Sequence, residues 1–109
     1  DLVVVEGAGG WLAPIGDPEN PGTPGPTMED VAIALGLPVI LVVGIRLGCL
    51  NHALLTAEAI RRSGLALAGW VANPQDQGFA DTDLYVESLR IRLRAALLWT
   101  APRVILPGQ

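Results

Sequence analysis

Residues 37–44 read Leu-Pro-Val-Ile-Leu-Val-Val-Gly, an apolar run that decides the fold class of this chain. Proline precedes the run and glycine ends it, and a bounded run of this kind is typical of a strand buried on both faces of a parallel sheet. The wider apolar stretch from Leu35 to Ile45 contains two glycines and one proline and is too short to span a bilayer. The run therefore predicts a strand inside a parallel α/β sheet.

Further strands and helices are predicted on both sides of this run. Leu2–Val5 predicts a buried strand, Leu67–Ala72 predicts another, and residues 95–99 predict an edge strand. The predicted helices are 28–35, with a Thr27–Asp30 start signal and Gly36 as its stop, 51–63, with Gly64 as its stop, and 81–93. Strands and helices that alternate in this way predict right-handed crossovers and a parallel sheet.

The composition argues against nucleic-acid binding, secretion and insertion into a membrane. Half of the 109 residues are hydrophobic and the net charge is −4, which argues against a nucleic-acid partner. The single cysteine cannot form an internal disulfide, and no charged-then-apolar leader opens the chain. We therefore expect a cytoplasmic protein with no membrane span.

Lysine is absent from the chain. All seven basic residues are arginines, so the chain contains no Gly-Lys-Ser/Thr phosphate-binding loop. Open parallel sheets of the predicted kind are common among nucleotide-handling domains. We therefore expect the chain to be the back half of such a domain and not a complete enzyme.

The carboxyl ends of the predicted strands carry the candidate site residues, because ligands of open parallel sheets bind there. Glu6 follows four apolar residues and is either a magnesium ligand or an acid that ends a strand at the surface. The following Gly7-Ala8-Gly9-Gly10 is either a loop that donates N–H groups to an anion or a tight turn. Asn73 either contacts the edge of an adenine base or forms a turn before Pro74.

The stretch from Gly48 to His52 begins the longest predicted helix. Helix N-termini bind anions through free N–H groups, whereas the plainer interpretation is a glycine hinge with Asn51 as the helix cap. We expect His52 at the surface and both Cys49 and Trp70 in apolar packing.

Four stretches in this order resemble the dethiobiotin synthetase family. They are Val5-Glu6-Gly7-Ala8-Gly9-Gly10-Trp11, the run from Leu37 to Gly44, Leu47-Gly48-Cys49-Leu50-Asn51-His52-Ala53-Leu54-Leu55-Thr56, and Leu67-Ala68-Gly69-Trp70-Val71-Ala72-Asn73. The resemblance implies that residues 1–109 are the C-terminal part of one three-layer, P-loop-type α/β domain. It also implies a homodimer that uses ATP and magnesium to form dethiobiotin from 7,8-diaminononanoate and CO2 in biotin biosynthesis.

The resemblance also implies roles for particular residues. Glu6 is expected to bind magnesium, and the nucleotide is expected to contact Glu6, Gly7, Ala8, Gly9, Asn73, Pro102, Arg103 and Val104. Gly48, Cys49, Leu50 and Asn51 are expected to hold the substrate carboxylate from across the dimer. The phosphate loop and the catalytic lysine are expected upstream of Asp1.

Two other functions stay open at this point. One is a non-catalytic nucleotide-binding or interaction module derived from the same fold. The other is a related amidating or cobyrinate-type synthetase, against which the Gly-Cys-Leu-Asn-His helix start argues. The sequence upstream of Asp1 distinguishes the enzyme from the module, since a loop that ends in Gly-Lys-Thr there indicates the enzyme.

Overall fold

Helices and strands alternate along the chain in the computed structural model, which describes residues 1–75 and 78–102. The elements are α1 (Met28–Leu35), β1 (Val39–Ile45), α2 (Cys49–Arg62), β2 (Leu67–Pro74), α3 (Thr82–Arg92) and β3 (Leu97–Thr100). The strands form one sheet in the order β1-β2-β3, and both neighbouring pairs are parallel. The predicted α/β fold with a parallel sheet is confirmed, and β3 lies at an edge as predicted.

The core lies between one face of the sheet and helices α2 and α3. The buried residues of α2 recur every three or four positions, which places them on one side of the helix: Cys49, Ala53, Ala57 and Ile60. Trp70 of β2 is fully buried, and Leu89 and Leu93 pack in the same cluster. The predictions that Trp70 belongs to the core and that Cys49 packs as a small apolar residue are confirmed.

The helix ends follow the local signals in the sequence, with one exception. The backbone N–H of Thr27 donates to the Asp30 carboxylate at 2.8 Å, and Gly36 ends α1 with a φ of 64°. Helix α2 begins two residues earlier than predicted, because Gly48 takes a φ of 90° that suits glycine and serves as the N-cap. The interpretation of Asn51 as the helix cap is therefore wrong.

An unpredicted contact joins the ends of α2 and α3. Arg61 donates through Nη2 to the carbonyl oxygens of Leu93 at 2.7 Å and Arg94 at 3.0 Å. Carbonyls at the end of a helix lack partners within the helix, so the guanidinium group satisfies them. Arg94 has a positive φ of 53°, and Arg61 thus stabilises the turn that leads into β3.

Leu2–Val5 does not form the predicted strand. The four side chains are 52% to 88% exposed, and no β-ladder in the described part of the chain includes them. Apolar and β-branched residues favour an extended backbone, but only a neighbouring strand can supply the ladder hydrogen bonds. Strand β1 lines the same groove as Leu2–Val5, but among residues 1–75 and 78–102 it pairs only with β2. The prediction of a buried strand is therefore wrong.

The sheet face opposite α2 and α3 carries exposed apolar side chains. Ile40 and Val42 of β1 are 54% and 61% exposed, and Trp99 of β3 is 60% exposed. Separately, none of the helices within residues 1–75 and 78–102 has both the length and the apolar character needed to cross a membrane.

Candidate functional site

A groove of about 1140 Å³ separates β1 from the N-terminal segment and α1. Leu2–Val5 and α1 contribute to its lining, as do β1 and the start of α2. Among the residues that line it are Gly7, Gly9, Gly10, Trp11, Met28, Gly44, Arg46, Gly48, Cys49, His52 and Gln75. The groove therefore joins two stretches that are about 40 residues apart in the sequence. They are residues 7–10, called here the glycine-rich loop, and the beginning of α2.

Only part of the predicted site lines this groove. Gly7 and Gly9 of the predicted nucleotide contacts do so, as do Gly48 and Cys49 of the predicted substrate contacts. The remaining described candidates lie outside its lining: Glu6, Ala8, Leu50, Asn51, Asn73 and Pro102. Glu6, Ala8, Asn51 and Pro102 are exposed, whereas Leu50 and Asn73 are half-buried. Arg103 and Val104 lie outside the described residues.

The segment that directly follows the glycine-rich loop is hydrogen-bonded to the beginning of α1. Trp11 accepts a backbone hydrogen bond from Glu29 at 2.9 Å, and Ala13 accepts one from Met28 at 3.0 Å. A Cβ on Gly7 would lie 2.5 Å from the terminal methyl of Met28, so a larger residue there requires that side chain to move. Gly9 has a φ of 90°, which side-chain-bearing residues rarely adopt. The contact with Met28 at Gly7 and the positive φ at Gly9 both favour glycine at these positions.

The beginning of α2 offers backbone N–H groups and no charged cap. Gly48 has no side chain to cap the helix, and the N–H of Cys49 donates to the carbonyl of Arg46 at 3.1 Å. The N–H groups of Leu50 and Asn51 have no carbonyl four residues back within the helix. His52 lies exposed in the lining of the groove, as the sequence predicts for a first-turn surface residue. This end of the helix can attract an anion through its dipole.

Gln75 lines the groove although it belongs to none of the sequence motifs described above. Its amide oxygen Oε1 lies 2.5 Å from the position that a Cβ on Gly44 would take. Gly44 pairs in register with Asn73 on the neighbouring strand. The signal that could have pointed to Gln75 is its place two residues after Asn73, where the chain leaves β2 at its carboxyl end.

A second cavity of about 540 Å³ lies where the ends of β2 and β3 meet the start of α3. Pro74, Thr100 and Glu87 are among its lining residues. Arg90 donates two hydrogen bonds to Glu87, at 2.9 Å and 2.6 Å, and thereby lowers the pKa of that carboxyl. The same contact raises the pKa of Arg90. Both side chains are more than half exposed, so this is a solvated surface pair and not a reactive one.

Metal-binding side chains do not cluster in the described part of the chain. Within residues 1–75 and 78–102, no group of three or more His, Cys, Asp and Glu residues is placed to hold an ion. Glu6 is exposed directly before the glycine-rich loop, where it can offer a single carboxylate ligand. Any divalent cation bound at Glu6 thus needs further ligands from elsewhere.

Comparison with known proteins gives a family and several curated relatives. A family model described as an AAA domain matches residues 1–93. The chain is 51% identical over 104 residues to the ATP-dependent dethiobiotin synthetase BioD of Aromatoleum aromaticum, which covers 95% of this chain and 43% of the relative. The BioD proteins of Pseudomonas paraeruginosa and Ralstonia nicotianae are 51% and 50% identical and cover 95% and 98% of this chain. The chain spans 42% to 44% of the length of these relatives.

Proposed function

Because this chain belongs to the AAA domain family, we propose that it is the C-terminal part of an ATP-dependent dethiobiotin synthetase. The observation that carries the proposal is identity of about half over at least 95% of the chain to proteins of that name. The groove is compatible with it, since two of the predicted nucleotide contacts, Gly7 and Gly9, and two of the predicted substrate contacts, Gly48 and Cys49, line one cavity. The whole enzyme would form dethiobiotin from 7,8-diaminononanoate, CO2 and ATP as a homodimer in the cytoplasm.

The reaction divides into three steps that place different demands on the protein. One substrate amine attacks CO2 and forms a carbamate, and a carbamate oxygen then attacks the γ-phosphorus of ATP with release of ADP. The second amine attacks the carbonyl carbon, phosphate leaves, and the ureido ring closes. Backbone N–H groups of Gly7 and Gly9 can face the negative charge of the reacting groups. The start of α2 can hold the substrate carboxylate and so orient both amines.

The Glu6 side chain fits a role in magnesium binding. A carboxylate is the type of ligand that a hard divalent cation prefers, and Glu6 precedes the loop that would approach the nucleotide. When bound, magnesium neutralises charge on the phosphates of ATP during phosphoryl transfer. In this assignment Glu6 supplies one ligand, and the phosphate loop with its lysine belongs to the part of the protein upstream of Asp1.

The 109-residue chain by itself should bind ATP no more tightly than millimolar. Phosphate contacts from a Gly-Lys-Thr loop dominate nucleotide binding in such folds, and this chain contains no lysine. Isothermal titration of magnesium and ATP into the chain, compared with the full-length protein, measures the difference. If the chain alone binds ATP with micromolar affinity in the presence of magnesium, the phosphate contacts do not depend on an upstream loop, and the assignment is wrong. An upstream reading frame without such a loop instead favours a non-catalytic module.

Replacing Asn51 with alanine in the full-length enzyme should raise the Michaelis constant for the diamine several-fold, up to about tenfold. Asn51 is exposed in the first turn of α2, where one hydrogen bond from its uncharged amide to a carboxylate contributes about 1.5 kcal/mol, the lower end of the range for bonds to charged groups. The Michaelis constant for ATP should stay almost unchanged, because the nucleotide binds elsewhere. Glu58→Gln, an exposed change in the second half of the same helix, is the matched control.

Mixed dimers test whether α2 serves the partner subunit. One subunit carries Asn51→Ala and the other carries Glu6→Gln, and each variant is also assayed as a homodimer. All assays use a diamine concentration well below the wild-type Michaelis constant, where both homodimers are impaired. If the site is shared between subunits, one of the two sites in the mixed dimer is intact and activity partly returns. Activity equal to the mean of the two homodimers shows instead that each helix serves its own subunit.

A further inference from the structure

We propose that Gln75 is a specificity-determining residue that contacts the nucleotide base beside Asn73. The inference rests on the proposed function, which supplies ATP, and on the nucleotide contact that the family resemblance implies for Asn73. Gln75 is assigned no part by the sequence pattern. Its position over the end of β1 is what suggests the role.

The Gln75 amide occupies the space above Gly44. Its Oε1, Cδ and Nε2 atoms lie 2.5, 2.8 and 3.2 Å from the position of a Cβ on that glycine. The amide thus takes the place that a side chain at position 44 would fill. Glycine leaves that space open, whereas a larger residue pushes the amide away.

The register of the sheet puts this amide next to Asn73. Gly44 and Asn73 are paired residues of β1 and β2, and paired residues of a parallel sheet point to the same face. Neighbouring strands are about 4.8 Å apart, so a group above Gly44 is a direct neighbour of the Asn73 side chain. Two amides therefore stand side by side at the carboxyl edge of the sheet, where ligands of this fold class bind.

The chemistry of this pair suits a purine edge. Each amide offers both a donor and an acceptor, and a single amide can already match the N6 and N7 groups of adenine. Gln75 is exposed and makes no hydrogen bond to any residue within the described part of the chain. Its amide is thus available to a ligand, and because the register places Asn73 next to Gly44 we expect one base to reach both amides.

The test uses the full-length enzyme with two nucleotides, ATP and purine riboside triphosphate, which lacks the 6-amino group. Gln75→Ala should raise the Michaelis constant for ATP about three- to tenfold, the range expected for one lost neutral hydrogen bond. The Michaelis constant for purine riboside triphosphate should change less, so the preference of the enzyme for ATP falls. The diamine constant and the turnover number should stay within about twofold. Asn20→Ala, which removes an exposed amide outside the groove, is the control.

A second variant tests the role of Gly44. Gly44→Ala should displace the amide and reproduce much of the effect of Gln75→Ala, and the double variant should be no worse than Gln75→Ala alone. An unchanged Michaelis constant for ATP in Gln75→Ala, with an active wild type, overturns the inference and leaves the proposed function intact. A rise in the diamine constant alone also overturns it. A full-length wild type that forms no dethiobiotin overturns the proposed function itself.

Discussion

Glu6→Gln in the full-length enzyme should lower turnover by about 100-fold or more, because a metal ligand stabilises the transition state by several kcal/mol and 1.36 kcal/mol corresponds to a factor of about ten. Glutamine keeps the volume of the side chain and removes the charge that a divalent cation needs. Because Glu6 is exposed, the free energy of unfolding should change by no more than about 0.5 kcal/mol. Turnover is measured across a magnesium titration, and stability by urea unfolding.

The magnesium titration separates a ligand role from a general electrostatic one. Loss of a ligand shifts the magnesium concentration for half-maximal activity upward, and excess magnesium restores part of the turnover. Glu19→Gln removes another exposed acid, from the segment 14–26 that contains five prolines, and should leave both quantities unchanged. Near-normal activity of the Glu6 variant at limiting magnesium would show that Glu6 is not a metal ligand.

Trp70→Ala should lower the free energy of unfolding of this chain by about 3–5 kcal/mol, the usual loss for a large aromatic residue removed from a core. Trp70 is fully buried, and its cluster includes residues from α2, α3 and the sheet. A loss of this size is a large part of the total stability of a small domain, which is about 5–15 kcal/mol. Urea unfolding followed by circular dichroism measures it.

Two further tryptophan variants test whether the loss of stability depends on the burial of the side chain. Trp99 is 60% exposed in this chain, so Trp99→Ala should cost no more than about 0.5 kcal/mol. Trp70→Phe should cost much less than Trp70→Ala, because the indole Nε1 is buried with no hydrogen-bond partner in the described part of the chain. Removal of that unpaired donor offsets part of the lost packing. Equal losses for Trp70→Ala and Trp99→Ala would contradict the assigned core.

Some elements were predictable because their signals are local. The apolar run before Gly44 predicted β1, the Thr27–Asp30 pair predicted the start of α1, and the glycines at 36 and 64 marked helix ends. The helix signals act within a few residues, through a side-chain cap or through the left-handed backbone of glycine, and the apolar run acts through the composition of one segment. The four family-like stretches also predicted the relatives that comparison found.

The sequence by itself determined that this is a parallel α/β chain without a lysine, with three helices at the expected places. Only the tertiary structure decided that Leu2–Val5 lies unpaired, that Arg61 binds the end of α3, and that Gln75 covers Gly44. Local propensity and periodicity describe how one segment prefers to fold, whereas strand pairing and groove lining depend on residues far apart in the chain. A β-branched run such as Leu2–Val5 cannot specify its own neighbour, because the hydrogen bonds of a strand are made with another segment.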